Sequence, residues 1–324
     1  MVIDAIDVHG MADLPTFQLA GLERQVHLQG PDPASVALGD ALELFFAALS
    51  PRHLSNLLQR WGLTTEKEPP EIIGEPFPDQ AHWTSAAIGA DLVRDNRQRS
   101  ITITVTVRLD PILFRDLRAE AAREPRLVTA LSDGPIITVT VGALFTRSFD
   151  AIALSINSAQ VGDERFPTLT SERPAWLTRL LSAMGDRFHR FTPDASAVAA
   201  WALEAANSRD AYPAYTAWQD ALRDRLGEVR AYRDASNAPA LLINNRPSRR
   251  WGARGAHTAA LAAAVYLSGA DILWAESDDP IIAEGIKRGA LEQVILLSPS
   301  GSLRVQPPPQ KKKRATAFRT RGPG

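Results

Sequence analysis

Between residues 239 and 298 short apolar runs alternate with helical patterns. They are PALLINN (239–245), GAHTAALAAAVYLSG (255–269), ADILWAE (270–276), DPIIAEGIKRGAL (279–291) and EQVILLS (292–298). This order constrains the fold more than any other feature of the chain. Parallel strands need a crossover of a dozen or more residues, and the crossover helices then cover the faces of the sheet. Strand, helix, strand, helix, strand at this spacing therefore predicts a parallel sheet and an α/β fold class.

The first half of the chain has a different rhythm. SITITVTVRL (100–109) sets Ile101, Ile103, Val105 and Val107 against Thr and Arg, the period of a sheet with one covered face. PIITVTVGALF (135–145) and AIALSINS (151–158) repeat the pattern across a short loop, so they are expected to be antiparallel neighbours. A helix over 111–124 opens on a proline, where a missing N–H does no harm. Residues 2–8 and 24–29 read as short strands flanking the turn GMADLPT. From Asp40, Ala41, Leu42, Leu44, Phe45, Ala48 and Leu49 recur as in a buried helix, which Pro51 ends. The polar stretch 63–80 is rich in proline and glycine and reads as a surface loop.

From about 172 to 235 the patterns are helical. In the last of them Trp218, Leu222, Leu226 and Val229 form one stripe, and Arg223, Asp224, Arg225, Glu228 and Arg230 fill the solvated faces. Charge is unevenly spread. Residues 1–300 hold 29 basic against 37 acidic side chains, a balance of −8. Residues 301–324 hold seven basic ones (Arg304, Lys311, Lys312, Lys313, Arg314, Arg319 and Arg321) and no acid. Such a terminal block is expected either to be a mobile arm seeking phosphate or an acidic surface, or simply to keep the chain soluble.

Several chemistries are excluded. With no cysteine there is no disulfide, thiolate metal site, iron–sulfur cluster or cysteine nucleophile. His9, His27, His53, His82, His189 and His257 are scattered, without metal-ligand spacing on one helix, so no metal site is expected. There is no G-x-S-x-G elbow. No apolar run is long enough for a membrane span, and MVIDAIDVHG does not have the form of a secretion signal. A cytoplasmic location without membrane association is expected.

Four stretches remain, and they carry the remaining argument in chain order. LQGPDPASVALGDALELFF (28–46) has a glycine turn after an apolar strand and a helix after it, but no lysine. PSRRWGARGAHTAAL (247–261) places Ser248, Gly252, Arg254 and Gly255, with Arg249 and Arg250, ahead of a helix. DILWAESDDP (271–280) is an apolar strand ending in Ala275, Glu276, Asp278 and Asp279, and the strand at 293–297 runs into Ser298-Pro299-Ser300.

In this order the stretches resemble the head of ATP-binding-cassette type ATPases of the SMC and RecF-like class, over residues 2–305. The resemblance implies a P-loop NTPase-like head with an antiparallel β subdomain and a helical insertion. It divides the chain into an N-terminal lobe (1–171), a helical insertion (172–238), a C-terminal lobe (239–306) and a flexible basic tail (307–324). It also implies what is missing. A phosphate loop uses glycines to close backbone N–H groups on phosphate, a lysine for the outer phosphates and a hydroxyl for magnesium. Here the remnant is Gly30, Pro31, Asp32, Ser35, Val36 and Ala37. Pro33 and Ser35 stand at glycine places, Val36 at the lysine and Ala37 at the hydroxyl. At the Walker B strand Ala275 stands at the magnesium aspartate and Glu276 at the general base. Asp278 and Asp279 read better as the cap and first-turn charge of the following helix than as substitutes. Pro299 stands in the strand exit where the family has its switch histidine.

The expectation is therefore a pseudo-ATPase that binds neither ATP nor Mg2+ and serves as a scaffold or regulatory subunit of a complex for DNA repair or antiphage defence. Its partner would be a second copy, an active ATPase head or an effector enzyme. A nucleic-acid adaptor acting through the basic tail is the first alternative. An active hydrolase with a divergent site around Glu276, Asp278 and Asp279 is the second.

Overall fold

The computed structural model describes residues 1–11, 16–30, 32–50, 82–85, 100–145, 151–169, 171–191, 193–275, 279–299 and 304–306. The expected loop at 63–80 and the tail from 307 lie outside them.

In chain order the N-terminal half gives β1 (Val2–His9), β2 (Thr16–Ala20), β3 (Gln25–Gly30), α1 (Asp32–Leu49), β4 (His82–Ser85), β5 (Ser100–Arg108), α2 (Pro111–Ala121) and α3 (Pro125–Ala130). Then come β6 (Ile136–Phe145), β7 (Ala151–Val161), β8 (Glu164–Phe166), α4 (Ala175–Gly185) and β9 (Phe188–Arg190). The remainder is α5 (Ala195–Asn207), α6 (Tyr212–Leu226), β10 (Val229–Arg233), β11 (Pro239–Ile243) and β12 (Arg246–Pro247). It closes with α7 (Gly252–Tyr266), β13 (Ile272–Ala275), α8 (Pro280–Lys287), β14 (Gln293–Pro299) and β15 (Arg304–Gln306).

Three sheets result. The antiparallel one runs β2-β1-β5-β6-β7-β4, with β8 added on β7. Alternation along β5 sends Ile101, Ile103, Val105 and Val107 into the core and its threonines outward. There Thr104 and Thr106 meet Thr140 and Thr138 across β6, each hydroxyl pair 3.0 Å apart. The predicted antiparallel pairing of β6 and β7 is present.

The second sheet has the order β15-β3-β14-β13-β9, parallel throughout except for β15. It is a wall between two cores, as a buried parallel sheet must be. From β13, Ile272 and Trp274 enter the core shared with α1 and the antiparallel sheet, whereas Leu273 and Ala275 enter the core shared with α5, α6 and α7. From β14, Ile295 faces the first core and Val294 and Leu296 the second. Helix α1 lies between the sheets, against β5, β6 and β7 on one side and β9 and α4 on another. That position explains why Leu38, Ala41, Leu42, Leu44, Phe45 and Phe46 are all buried. Phe46 stacks on Phe188 of β9, ring centres 4.7 Å apart. Gly185 lets α4 pass close to the end of α1, since a Cβ there would stand 2.5 Å from the Cβ of Ser50.

A side chain sutures the two sheets at their other end. β2 pairs with β1 only from Ala5 onward, so the edge of β1 beside Ile3 has no strand neighbour on that side. Gln293, fully buried at the start of β14, fills the gap. Its Oε1 accepts from the N–H of Ile3 (2.9 Å), and its Nε2 donates to the carbonyls of Ile3 (2.9 Å) and Glu23 (3.0 Å). Nearby the Met1 amino group donates to Asp271 (2.8 Å), which also accepts from Arg187 (3.0 Å).

Two expectations are corrected. The stretch 172–238 is not wholly helical: it contains β9, a member of the parallel sheet, and β10. β11, expected in the parallel sheet, instead forms a separate antiparallel sheet, β10-β11-β12. Asn244 and Asn245 both have positive φ (46° and 63°), the conformation of a tight two-residue hairpin turn, which returns the chain before any crossover can start. Among the described residues no helix is long and apolar enough to cross a membrane.

Candidate functional site

In open sheets of parallel strands, ligands bind outside the carboxyl ends of the strands, where loops and helix starts converge. At that edge β3 passes into α1, β13 leads toward α8, β14 ends at Pro299 opposite Gly30, and β9 ends at Arg190. β14 stands between β3 and β13. The strands that carry the phosphate-loop remnant and the Walker B remnant are thus two positions apart, about 10 Å.

The phosphate-loop mapping needs correction. α1 begins at Asp32, so one residue, Pro31, separates it from Gly30, and Pro31 lies outside the described residues. Ser35, Val36 and Ala37 are therefore helical residues, not loop residues. The cause is local. With no glycine between Gly30 and Gly39, nothing favours an extended loop, and Pro33 in the first turn has its φ fixed near the helical value and its missing N–H costs nothing there. A phosphate cradle made of successive loop N–H groups has no room to form. Val36, at the lysine place, is 43% exposed, and Ala37 is buried.

At the end of β13, Ala275 is 1% exposed and packs into the core beside α7, so it presents nothing to a metal ion. Glu276 and Asp278 lie outside the described residues. Asp279 is the N-cap of α8: its carboxylate accepts from the N–H of Ile281 (2.9 Å) and from Arg225 of α6 (2.7 Å). Among the described residues no cluster of His, Asp and Glu could hold a metal ion.

The stretch 247–261, which holds Ser248, Gly252, Arg254 and Gly255 and stands where the SMC and RecF-like resemblance implies a signature motif, folds into a tight corner. Ser248 opens a 3-10 turn through Arg250, and Gly252 starts α7 with a φ of 73°. Arg254 is exposed. Gly255 is buried, and a Cβ there would meet Trp251 at 3.3 Å and Leu226 at 3.6 Å, so this glycine serves the packing of α6 against α7. Of the basic residues singled out near the C-terminus, Arg304 lies on β15 opposite Gln29, and Lys311, Lys312, Lys313, Arg314, Arg319 and Arg321 lie outside the described residues.

The structure adds a cluster that sequence reasoning missed. Arg190, at the end of β9, donates through Nη1 to Asp40 (2.5 Å) and Glu43 (3.1 Å) of α1, and Glu43 is 2% exposed. Its guanidinium lies over Gly39, where a Cβ would come within 3.0 Å of Cζ. Burial alone would lower the pKa of Arg190; the charges of Glu43 and Asp40 and their hydrogen bonds outweigh it and raise the value. The signal was present in GDALELFF: two acids three residues apart in a stretch otherwise apolar. Their partner, 147 residues or more downstream, was not.

A groove of about 1060 Å³ opens at the opposite end, by the amino ends of β3 and β14, lined by Asp4, Glu23, Arg24, Arg108, Asp110 and Glu292 among others. Its charges largely cancel: Arg108 holds Asp4 (2.9 Å) and Arg24 holds Glu292.

No family profile matches the chain, and no curated protein is significantly similar to it. Among solved structures, two of the recombination mediator protein RecF in the RecFOR pathway are similar in outline. The one with ATP is 10% identical, with a TM-score of 0.43, covering 93% of this chain and 92% of that one. The one with ATPrS is 11% identical, with a TM-score of 0.44, covering 93% of each. Likeness at this level carries no functional argument.

Proposed function

We propose that the chain is a degenerate ATPase-like head, a scaffold or regulatory subunit that keeps a nucleotide-binding frame without the groups that bind and cleave nucleotide. The observation that carries this reading is the junction of β3 and α1. A triphosphate at the carboxyl edge would need several free N–H groups and a lysine. This chain offers one intervening residue, a helix opened by Asp32, and an exposed valine. Beside it, Ala275 of β13 is apolar and buried. The capping and pairing of Asp279 also argue against a divergent hydrolytic site that uses it.

Such a head would act by pairing with another protein: a second copy, an active ATPase head or an effector enzyme. DNA repair or antiphage defence is the setting that the SMC and RecF-like resemblance implies. The deciding experiment is calorimetric titration of the full chain with ATP, with and without Mg2+. No heat of binding at millimolar nucleotide is expected. Micromolar, Mg2+-dependent binding would overturn the proposal. If binding is absent, ATP turnover by an intact head that rises only when this chain is added would establish the regulatory role.

A further inference from the structure

Residues 235–270 contain no acidic side chain, yet they carry Arg246, Arg249, Arg250 and Arg254. In a body whose balance is −8, that is an unusual length of chain without a negative charge. The fold gathers it rather than spreading it. Arg246 lies on β12, Arg250 ends the 3-10 turn and Arg254 lies in the first turn of α7, so the three occupy one corner. The corner is fixed by hydrogen bonds from the N–H of Trp251 to the carbonyl of Ser248 (3.0 Å) and from its Nε1 to the carbonyl of Arg246 (3.3 Å).

All three side chains are exposed, and among the described residues none holds a carboxylate. The adjoining elements behave differently. Arg223 pairs with Asp220 (2.8 Å), Arg225 with Asp279 (2.7 Å) and Arg230 with Glu228 (2.6 Å). Arg223, Arg225 and Arg230 thus each hold a nearby acid, whereas among the described residues the corner has none. Trp251, half-buried, sits amid them with its indole anchored to the strand end that bears Arg246.

From these observations we infer that the corner formed by β12, the 3-10 turn and the start of α7 binds single-stranded nucleic acid. Arg246, Arg250 and Arg254 contact successive phosphates, and Trp251 offers a face on which an unpaired base stacks. Guanidinium groups suit phosphate oxygens by geometry and by charge. Stacking on an aromatic beside a positive surface is how single strands are held without sequence readout. This surface is independent of the basic tail and of whether the chain binds nucleotide, so its test neither helps nor harms the proposal above.

The experiment is fluorescence anisotropy of a labelled oligo-dT of about 20 nucleotides with the full chain, across about 50–200 mM salt. Two variants are compared: Arg246→Ala/Arg250→Ala/Arg254→Ala, and Lys311→Gln/Lys312→Gln/Lys313→Gln/Arg314→Gln, which silences the tail. The triple arginine variant is expected to bind at least tenfold more weakly. Its slope of log affinity against log salt should be shallower by about 2, the release expected for three phosphate contacts on a single strand. The tail variant is expected to retain that part of the slope. Three exposed, unpaired side chains should be replaceable without moving the thermal midpoint, which serves as the folding control. Wild-type affinity in the triple variant, no binding by the wild type at the lowest salt, or a duplex bound as tightly as the single strand would each overturn the inference.

Discussion

Gln293→Leu tests how the two sheets are joined. The substitution keeps the approximate volume of the side chain and removes three hydrogen bonds at once. The Glu23 carbonyl is only partly buried and can turn to water at small cost. Ile3 cannot: its N–H and carbonyl both meet Gln293 in a buried setting, and β2 does not extend far enough to replace it. Leaving a buried donor or acceptor without a partner costs about 1–3 kcal/mol each. Two such groups, offset in part by the extra apolar contact of leucine, give an expected loss of about 3 kcal/mol, or a fall of roughly 4–5 °C in melting temperature for a chain of this length. Equilibrium urea unfolding, with circular dichroism and tryptophan fluorescence as separate probes, measures it. A leucine variant within about 0.5 kcal/mol of the wild type would show that Ile3 finds other partners, and the account of the suture would be wrong.

Arg190→Met should be more damaging than its half-hidden position suggests, because it removes the guanidinium that Asp40 and the buried Glu43 share. A loss of about 3–5 kcal/mol is expected in the same assay, and adding Glu43→Gln should recover part of it. Asp110 contributes to the acid limb of stability. Burial on its own would raise its pKa. The N–H of Leu113, the Met1 amino group, the N–H of Ile112 and Arg187 together outweigh that and hold it below its ordinary 3.8. A depressed folded value means stabilisation that is present above 3.8 and is lost as pH falls through the lower folded value. Asp110→Asn should therefore lose stability at neutral pH and show a flatter dependence of melting temperature between about pH 5 and pH 2. An unchanged acid limb would remove Asp110 from the explanation.

What the sequence revealed and what it concealed follow from the range of the forces involved. β5, β6 and β7 were legible because one covered face imposes a strict two-residue alternation that a window of ten residues displays. β13 and β14 were legible as apolar runs flanked by helical patterns. β9 was not: three residues, Phe188, His189 and Arg190, are too few to show a period, and their place in the sheet is set by β13, more than eighty residues on. β11 was misassigned because PALLI is as apolar as a buried strand, whereas the deciding information lay in the two asparagines after it. The start of α1 was misread for a related reason. Gly30 and the prolines near it suggested a loop, although a proline is as well suited to a first helical turn. The Arg190 cluster joins residues that only the folded sheet brings together.

The strand order has a consequence for how the chain is made. β3 is synthesised early, but its parallel neighbour β14 is complete only at Pro299, and β15 follows. At the usual pace of translation, roughly 5–20 residues per second, β3 waits about 15–50 s for a partner. During that interval the antiparallel strands β1, β5, β6 and β7 can already have paired, while Val26 and Leu28 remain on an unpaired edge. A ribosome-bound chain stalled before β14 would therefore carry a finished sheet next to an unfinished one, and β3 would be the segment for a chaperone to shield.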